Sequence, residues 1–61
     1  MNYREILKIL QKDGWYQVRQ EGSHRQFHHP EKKGTVTVAY HKISDEIPPK
    51  TLKRIKEQAG L

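Results

Sequence analysis

The chain has 61 residues and no cysteine, and its 12 lysines and arginines outnumber its 7 aspartates and glutamates, so the net charge is +5. A chain this short buries only roughly 60% of the surface that it exposes when unfolded, so we expect any chemistry to lie on a surface or in a shallow groove. The composition excludes a disulfide framework and a thiolate zinc site, and no apolar stretch suits a signal peptide or a membrane span. The cytoplasm is therefore the simplest location.

The positive charge makes a polyanion the expected class of partner. RNA, DNA, an anionic membrane or an acidic protein would each satisfy it. Because the sequence has no amphipathic membrane helix, the lipid surface is the least favoured of these.

A first helix is predicted over about residues 3–13. Asn2 and Glu5 have the spacing of a reciprocal N-terminal cap, and Gly14 is typical of a C-terminal stop. Three apolar residues lie on one face of this helix: Ile6, Leu7 and Leu10.

Three strands are predicted next. Residues 15–20 and 24–29 are rich in aromatic and β-branched side chains, and the break at Glu21-Gly22-Ser23 indicates a hairpin. Residues 35–40 alternate with a period of two, which makes them the clearest strand.

Alternation assigns the two faces of the sheet. Val18 is expected to point inward, with Gln17 and Arg19 outward, and Trp15 is expected in the core. In the second strand Phe27 inward places three side chains outward: His24, Gln26 and His28. In the third strand the inward residues are Val36, Val38 and Tyr40.

The polar segment 42–48 is predicted to be a loop across the end of the sheet. A second helix begins near Pro49 and ends at Gly60, with Leu52, Ile55 and Ala59 on its apolar face. The prediction is one α+β domain over residues 1–61, in the order α-β-β-β-α, with a three-stranded antiparallel sheet. Both helices cover one face of the sheet, which leaves the other face to solvent or a ligand.

Gly22-Ser23-His24 is the segment that most suggests chemistry. A histidine at a tight turn, with Arg19 and Arg25 nearby, combines a titratable base with groups that hold phosphate, which suits metal-free RNA cleavage. The alternative is an ordinary turn in which Gly22 bends the chain and His24 begins the next strand.

Metal binding and a serine triad are both disfavoured. His24 and His28 are about 13 Å apart in an extended strand, and His28 and His29 point to opposite faces, so these rings do not converge on one ion. Ser23 has no evident buried acid to complete a triad. We expect His28, His29 and His41 to be solvated strand residues or helpers in polyanion binding, with His28 on the same face as His24.

The second helix carries a basic group made of Lys50, Lys53 and Arg54, with Lys56 nearby. These side chains either form the soluble exterior of the helix or hold backbone phosphates. The sequence leaves both interpretations open.

Several segments together resemble the HicA-type toxins of HicA/HicB toxin-antitoxin pairs, over nearly the whole chain. The segments are Lys12-Asp13-Gly14, Val18 to His24, His29-Pro30, Val36-Thr37-Val38, Thr51-Leu52 and Gln58-Ala59-Gly60-Leu61. Two positions depart from the family pattern, Ala39 where proline is frequent and Lys50 where glycine is frequent.

The resemblance implies a double-stranded-RNA-binding-domain-like fold, a messenger RNA substrate, catalysis by His24 and a HicB-type antitoxin that blocks the active surface. The expected chemistry is transesterification without a cofactor or metal. Arg19, Arg25 or a lysine offsets phosphorane charge, Ser23 holds the turn or the phosphate, and His28 is an accessory candidate. The alternatives are a non-catalytic double-stranded-RNA-binding module, an inactive toxin homologue, or a domain that binds only an acidic protein.

Overall fold

The computed structural model describes residues 1–61 and confirms the predicted order of elements. The elements are α1 (Tyr3–Asp13), β1 (Tyr16–Glu21), β2 (His24–His28), β3 (Val36–Ala39) and α2 (Pro49–Ala59). The strands form one antiparallel sheet in the order β1-β2-β3. Neither helix is long and apolar enough to cross a membrane.

One hydrophobic core lies between the helices and one face of the sheet. Its ten buried residues are Tyr3, Ile6, Leu10, Trp15, Phe27, Val36, Val38, Ile47, Ile55 and Ala59. Trp15 is 1% exposed, which confirms its place in the core, and the half-buried Tyr40 packs against the same cluster. Both helices therefore cover the same face, as predicted, and the opposite face of the sheet has no helix on it.

Local signals determine both ends of α1. Asn2 and Glu5 form the predicted capping box, in which each side chain accepts a hydrogen bond from the other residue's backbone N–H. Gly14 ends the helix in the left-handed conformation, with φ of 110°. A Cβ atom at Gly14 would lie 2.7 Å from His29 Nε2, so both the backbone angle and the close approach require glycine.

The prediction that Val18 points inward is wrong. The pairing of β1 with β2 shifts register between Gln17 and Arg19, so Val18 is the extra residue of a β-bulge and is 44% exposed. Gln17 lies opposite the buried Phe27 and therefore faces the helical side, whereas Arg19 lies opposite Gln26 on the other face. One extra residue in a period-two strand moves every side chain on one side of it to the other face.

The segment 42–48 is more than a polar loop, because it packs against the start of the chain. Backbone carbonyls of Ile43 and Asp45 accept hydrogen bonds from the first N–H groups of α1, at Arg4 (2.9 Å) and Tyr3 (3.1 Å). These groups have no partner within the helix, so the loop supplies one. Ile47 is 5% exposed and belongs to the core, which the polar composition of this segment did not indicate.

Candidate functional site

The hairpin between β1 and β2 presents His24 at its end. Gly22 has φ of 58°, and no non-glycine residue of the chain has a positive φ, so the two-residue turn Gly22-Ser23 fits type II′. Nothing lies within 4 Å of a Cβ built on Gly22, so glycine is needed there for its backbone angle alone. This turn matches the right-handed twist of the strands and sets His24 directly after it.

The His24 side chain projects from the face of the sheet that no helix covers, which we call the open face. The open face carries Tyr16, Arg19, Glu21, His24, Gln26, His28, Thr37 and Ala39. The imidazole of His24 is exposed, and the hydrogen bonds of the turn do not involve its ring. It is therefore free to contact a ligand.

Arg19 is the cation closest in register to His24 on the open face. It lies opposite Gln26, so His24 and His28 are its two diagonal neighbours across the strand pair, at roughly 7–8 Å between backbones. Its guanidinium forms an ion pair with Glu21, which lies directly opposite His24. The structure thus brings His24, Arg19 and His28 onto one surface, as the sequence predicted.

Arg25 lies on the other face, where its guanidinium binds two backbone carbonyls and an aromatic ring. Its Nη1 donates hydrogen bonds to the carbonyls of Ser23 (2.8 Å) and Tyr40 (2.7 Å), and its Cζ lies 3.6 Å from the centre of the Tyr40 ring. The Tyr40 ring in turn stacks on Tyr3, at 5.2 Å between centroids. The Ser23 carbonyl also accepts a hydrogen bond from Tyr40 N–H at 3.1 Å. Two donors therefore hold the peptide group that immediately precedes His24.

The basic residues of α2 are not brought to His24. Lys50, Lys53 and Arg54 are exposed on a helix whose buried face, at Ile55 and Ala59, packs on the helix-covered side of the sheet. They form a separate cationic surface. Along the open face, His28 lies about 13 Å from His24, one strand across from Tyr16.

A family model described as "HicA toxin of bacterial toxin-antitoxin" matches residues 3–61. The chain belongs to the HicA toxin family. No curated protein compared with the chain matches it. Family membership confirms the resemblance and indicates a toxin that acts together with an antitoxin partner.

Three of the HicA-like segments, those that contain Asp13, His29 and Ala59, meet at a polar cluster away from the hairpin turn. We call it the Asp13 cluster; it consists of Asp13, Trp15, His29 and Lys32. Asp13 Oδ2 accepts hydrogen bonds from Lys32 Nζ (2.6 Å) and Trp15 Nε1 (3.2 Å), and Lys32 Nζ also donates to the Ala59 carbonyl (3.1 Å). The cluster ties the C-terminal ends of both helices to the loop after β2.

His29 is a structural member of this cluster, so the prediction of a solvated His29 is wrong. Its side chain is 7% exposed and contacts the edge of Trp15, at 5.1 Å between ring centroids. Nδ1 accepts hydrogen bonds from the N–H groups of Glu31 (3.0 Å) and Lys32 (3.1 Å), and Nε2 lies 2.6 Å from the Asp13 carbonyl. Because Nδ1 accepts, the hydrogen-bond network assigns the ring proton to Nε2. All of its polar capacity is used within the fold.

Lys32 also affects the ionisation of Asp13 in this cluster. The hydrogen bond from Lys32 lowers the pKa of the Asp13 carboxyl below its ordinary value of 3.8. No group of three or more His, Cys, Asp or Glu side chains in the chain is placed to hold a metal ion.

Proposed function

We propose that this HicA chain is an endoribonuclease that cleaves messenger RNA, with His24 as its acid/base catalyst. The observation that carries the proposal is the His24 imidazole, which is exposed, has no hydrogen bond in the turn and stands beside Arg19 on the open face. An imidazole exchanges protons near neutral pH, which general acid–base catalysis requires.

The reaction is a transesterification within the RNA. His24 takes the proton of a ribose 2′-OH, and the 2′-oxygen forms a bond to the adjacent phosphorus. The bond from phosphorus to the 5′-oxygen of the next nucleotide breaks, and that oxygen takes up a proton. The products are a 2′,3′-cyclic phosphate end and a 5′-hydroxyl end, and the atoms balance without a metal.

Arg19 is the residue that we assign to the charge of the phosphorane. Guanidinium groups grip phosphate with paired hydrogen bonds, and a phosphate placed beside His24 competes with Glu21 for Arg19. Ser23, at the end of the turn, supplies a hydroxyl for a further hydrogen bond to phosphate. Arg25 acts indirectly, because its guanidinium already holds two carbonyls and a ring.

Other predicted residues act away from the scissile phosphate. His28 is an accessory residue that contacts the RNA further along the open face, since about 13 Å separates it from His24. Lys50, Lys53 and Arg54 attract the backbone at longer range. The antitoxin is of the HicB type and inhibits by covering the open face.

The test compares the wild type with His24→Ala on single-stranded RNA in the presence of a chelator, reading fragments and their cyclic phosphate ends. We expect a loss of roughly 10²–10⁴-fold in cleavage rate, with RNA binding retained. His41→Ala, an exposed histidine outside the strands and with no role in the proposed site, is the matched control and retains the activity. Equal cleavage by wild type and His24→Ala, or RNA binding without cleavage by either, would overturn the proposal.

One observation favours a second candidate, a non-catalytic module that binds double-stranded RNA. The exposed basic side chains Arg4, Lys8 and Lys12 of α1 and Lys50, Lys53, Arg54 and Lys56 of α2 place much positive charge on the helices. Modules of that kind recognise the shape and phosphates of the duplex. Tight binding of a duplex that is never cut, with weaker binding of single strands, would select this candidate.

A further inference from the structure

A groove of about 320 Å³ runs between α1 and β1 on the helical side of the sheet. It exists because β1 contributes no buried residue to the core, so the sheet extends beyond the surface that the helices cover. The apolar part of its lining consists of Leu7, Phe27 and Ile43. An apolar lining of this kind suits a flat, weakly polar group such as a nucleobase.

The rest of the lining is polar and carries no acid. Gln11 and Gln17 present amide groups, which can both donate and accept hydrogen bonds, and Arg4 and Lys8 lie one helical turn apart on α1. Neither Arg4 nor Lys8 takes part in an ion pair. Their positive charge therefore matches a phosphate, and the amides of Gln11 and Gln17 match the edge of a base.

The groove lies around one edge of the sheet from the proposed reaction site. Phe27 is three residues from His24 along β2, about 10 Å, but the two side chains point to opposite faces, and only β1 separates that part of β2 from the edge of the sheet. At its other end, Arg4 follows Tyr3, which stacks on Tyr40 beneath Arg25 and the Ser23 carbonyl. An RNA strand at His24 reaches the groove by crossing a single edge strand.

We propose that this groove is a base-binding subsite that holds one unpaired nucleotide of an RNA strand near the cleaved bond. The base lies on Leu7 and Ile43, with the buried Phe27 ring beneath them. The amides of Gln11 and Gln17 read its edge, and Lys8 and Arg4 hold the phosphate. The proposal deepens the proposed function and rests on it for the substrate class, which it narrows to single-stranded RNA with a preference among bases.

Nuclear magnetic resonance on the His24→Ala protein tests the site without cleavage. The probes are the four nucleoside 3′-monophosphates, with ribose 5-phosphate as the control for phosphate alone. We expect the side-chain amide signals of Gln11 and Gln17 to shift with nucleotides, unequally among the four bases, and to stay in place with ribose 5-phosphate. Equal shifts with both kinds of probe, or no shift of these amides, would overturn the proposal.

Salt-dependent binding of a single-stranded RNA to variants in the same background separates the two parts of the subsite. Lys8→Ala is expected to reduce the slope of log affinity against log salt by about 0.7, the value for one lost phosphate contact. Gln17→Leu is expected to weaken binding about three- to tenfold at an unchanged slope and to reduce the difference between bases. Lys12→Ala, on the same helix but outside the groove, is the matched control.

If Lys12→Ala and Lys8→Ala weaken binding equally and Gln17→Leu has no effect, the groove is only part of a diffuse positive surface and the proposal fails. Cleavage that depends on His24 would survive that result. Conversely, nucleotide binding in the groove of the His24→Ala protein, together with no RNA cleavage by the wild type, would contradict the proposed enzyme activity and leave the subsite in place.

Discussion

His24 and His29 are five positions apart in the chain and have opposite environments. His24 is exposed on the open face with no hydrogen bond in its turn, whereas His29 is 7% exposed and uses both ring nitrogens within the Asp13 cluster. The domain has only ten buried residues, so its hydrophobic core is small. The hydrogen bonds of the Asp13 cluster add to the stability that this core provides. The His24 ring, which forms no hydrogen bond within the fold, is the one left to contact a ligand.

Removing each histidine in turn separates the two roles most clearly. His24→Ala is expected to lower cleavage roughly 10²–10⁴-fold and to change stability by less than about 0.5 kcal/mol. His29→Ala is expected to lower the free energy of unfolding by roughly 1–3 kcal/mol, because two backbone N–H donors and one carbonyl lose their partner and the packing against Trp15 is lost. Cleavage assays and thermal unfolding measure both; a His24→Ala protein as destabilised as His29→Ala would contradict the division of roles.

Gly14 tests how tightly the Asp13 cluster is packed. Gly34→Ala is the matched control, since Gly34 has φ of 92° and nothing within 4 Å of a Cβ, so its cost is roughly the 1–2 kcal/mol of a left-handed alanine. Gly14→Ala adds a clash with His29 and is expected to cost at least about 1 kcal/mol more. Denaturant unfolding of both variants gives the difference, and equal costs would show that the His29 ring moves aside freely.

The two arginines near the turn lie on opposite faces of the sheet, so we expect their removal to affect RNA binding and cleavage differently. Arg19→Gln is expected to reduce the salt slope of RNA binding by about 0.7, because we propose that Arg19 contacts phosphate. Arg25→Gln is expected to leave that slope unchanged and to lower the cleavage rate, because the carbonyl before His24 loses one of its two donors. A reduced slope for Arg25→Gln would instead identify Arg25 as a phosphate ligand.

The smallest expected effect is the pH dependence of the Asp13 cluster. Because the hydrogen bond from Lys32 lowers the pKa of Asp13 in the folded state, the unfolded chain binds this proton more readily. The stabilisation is complete above the ordinary value of 3.8 and is lost as the pH falls through the lower folded value. Unfolding of the wild type and Asp13→Asn between about pH 6 and pH 3 is expected to show their difference shrinking toward acid. A constant difference would contradict the assigned ion pair.

Signals contained within a few residues predicted the fold well. Asn2, Glu5 and Gly14 delimit α1 because capping involves neighbours in sequence, and the alternation in β3 places Val36 and Val38 in the core. The face of His24 followed from the same alternation. In β1 this reasoning failed, because a bulge depends on how two strands pair and leaves no mark in the period of one strand.

Sequence patterns do not reveal residues whose partners are distant in the chain. The sequence predicts a solvated His29, because Asp13, which it contacts, is 16 positions away. Ile47 lies in a polar segment and becomes buried only when that segment pairs with the first residues of the chain. The groove lined by Arg4, Lys8 and Gln17 likewise forms only when α1 packs beside β1.

By itself the sequence determined the order of helices and strands, the Gly22-Ser23 turn with His24 after it, and the family, because each depends on local backbone preferences or on a motif. Three-dimensional packing determines which histidine is free and which is bound, that Arg25 holds the carbonyls of Ser23 and Tyr40, and that a groove flanks β1. These properties depend on contacts between segments far apart in the chain, which local preferences do not specify.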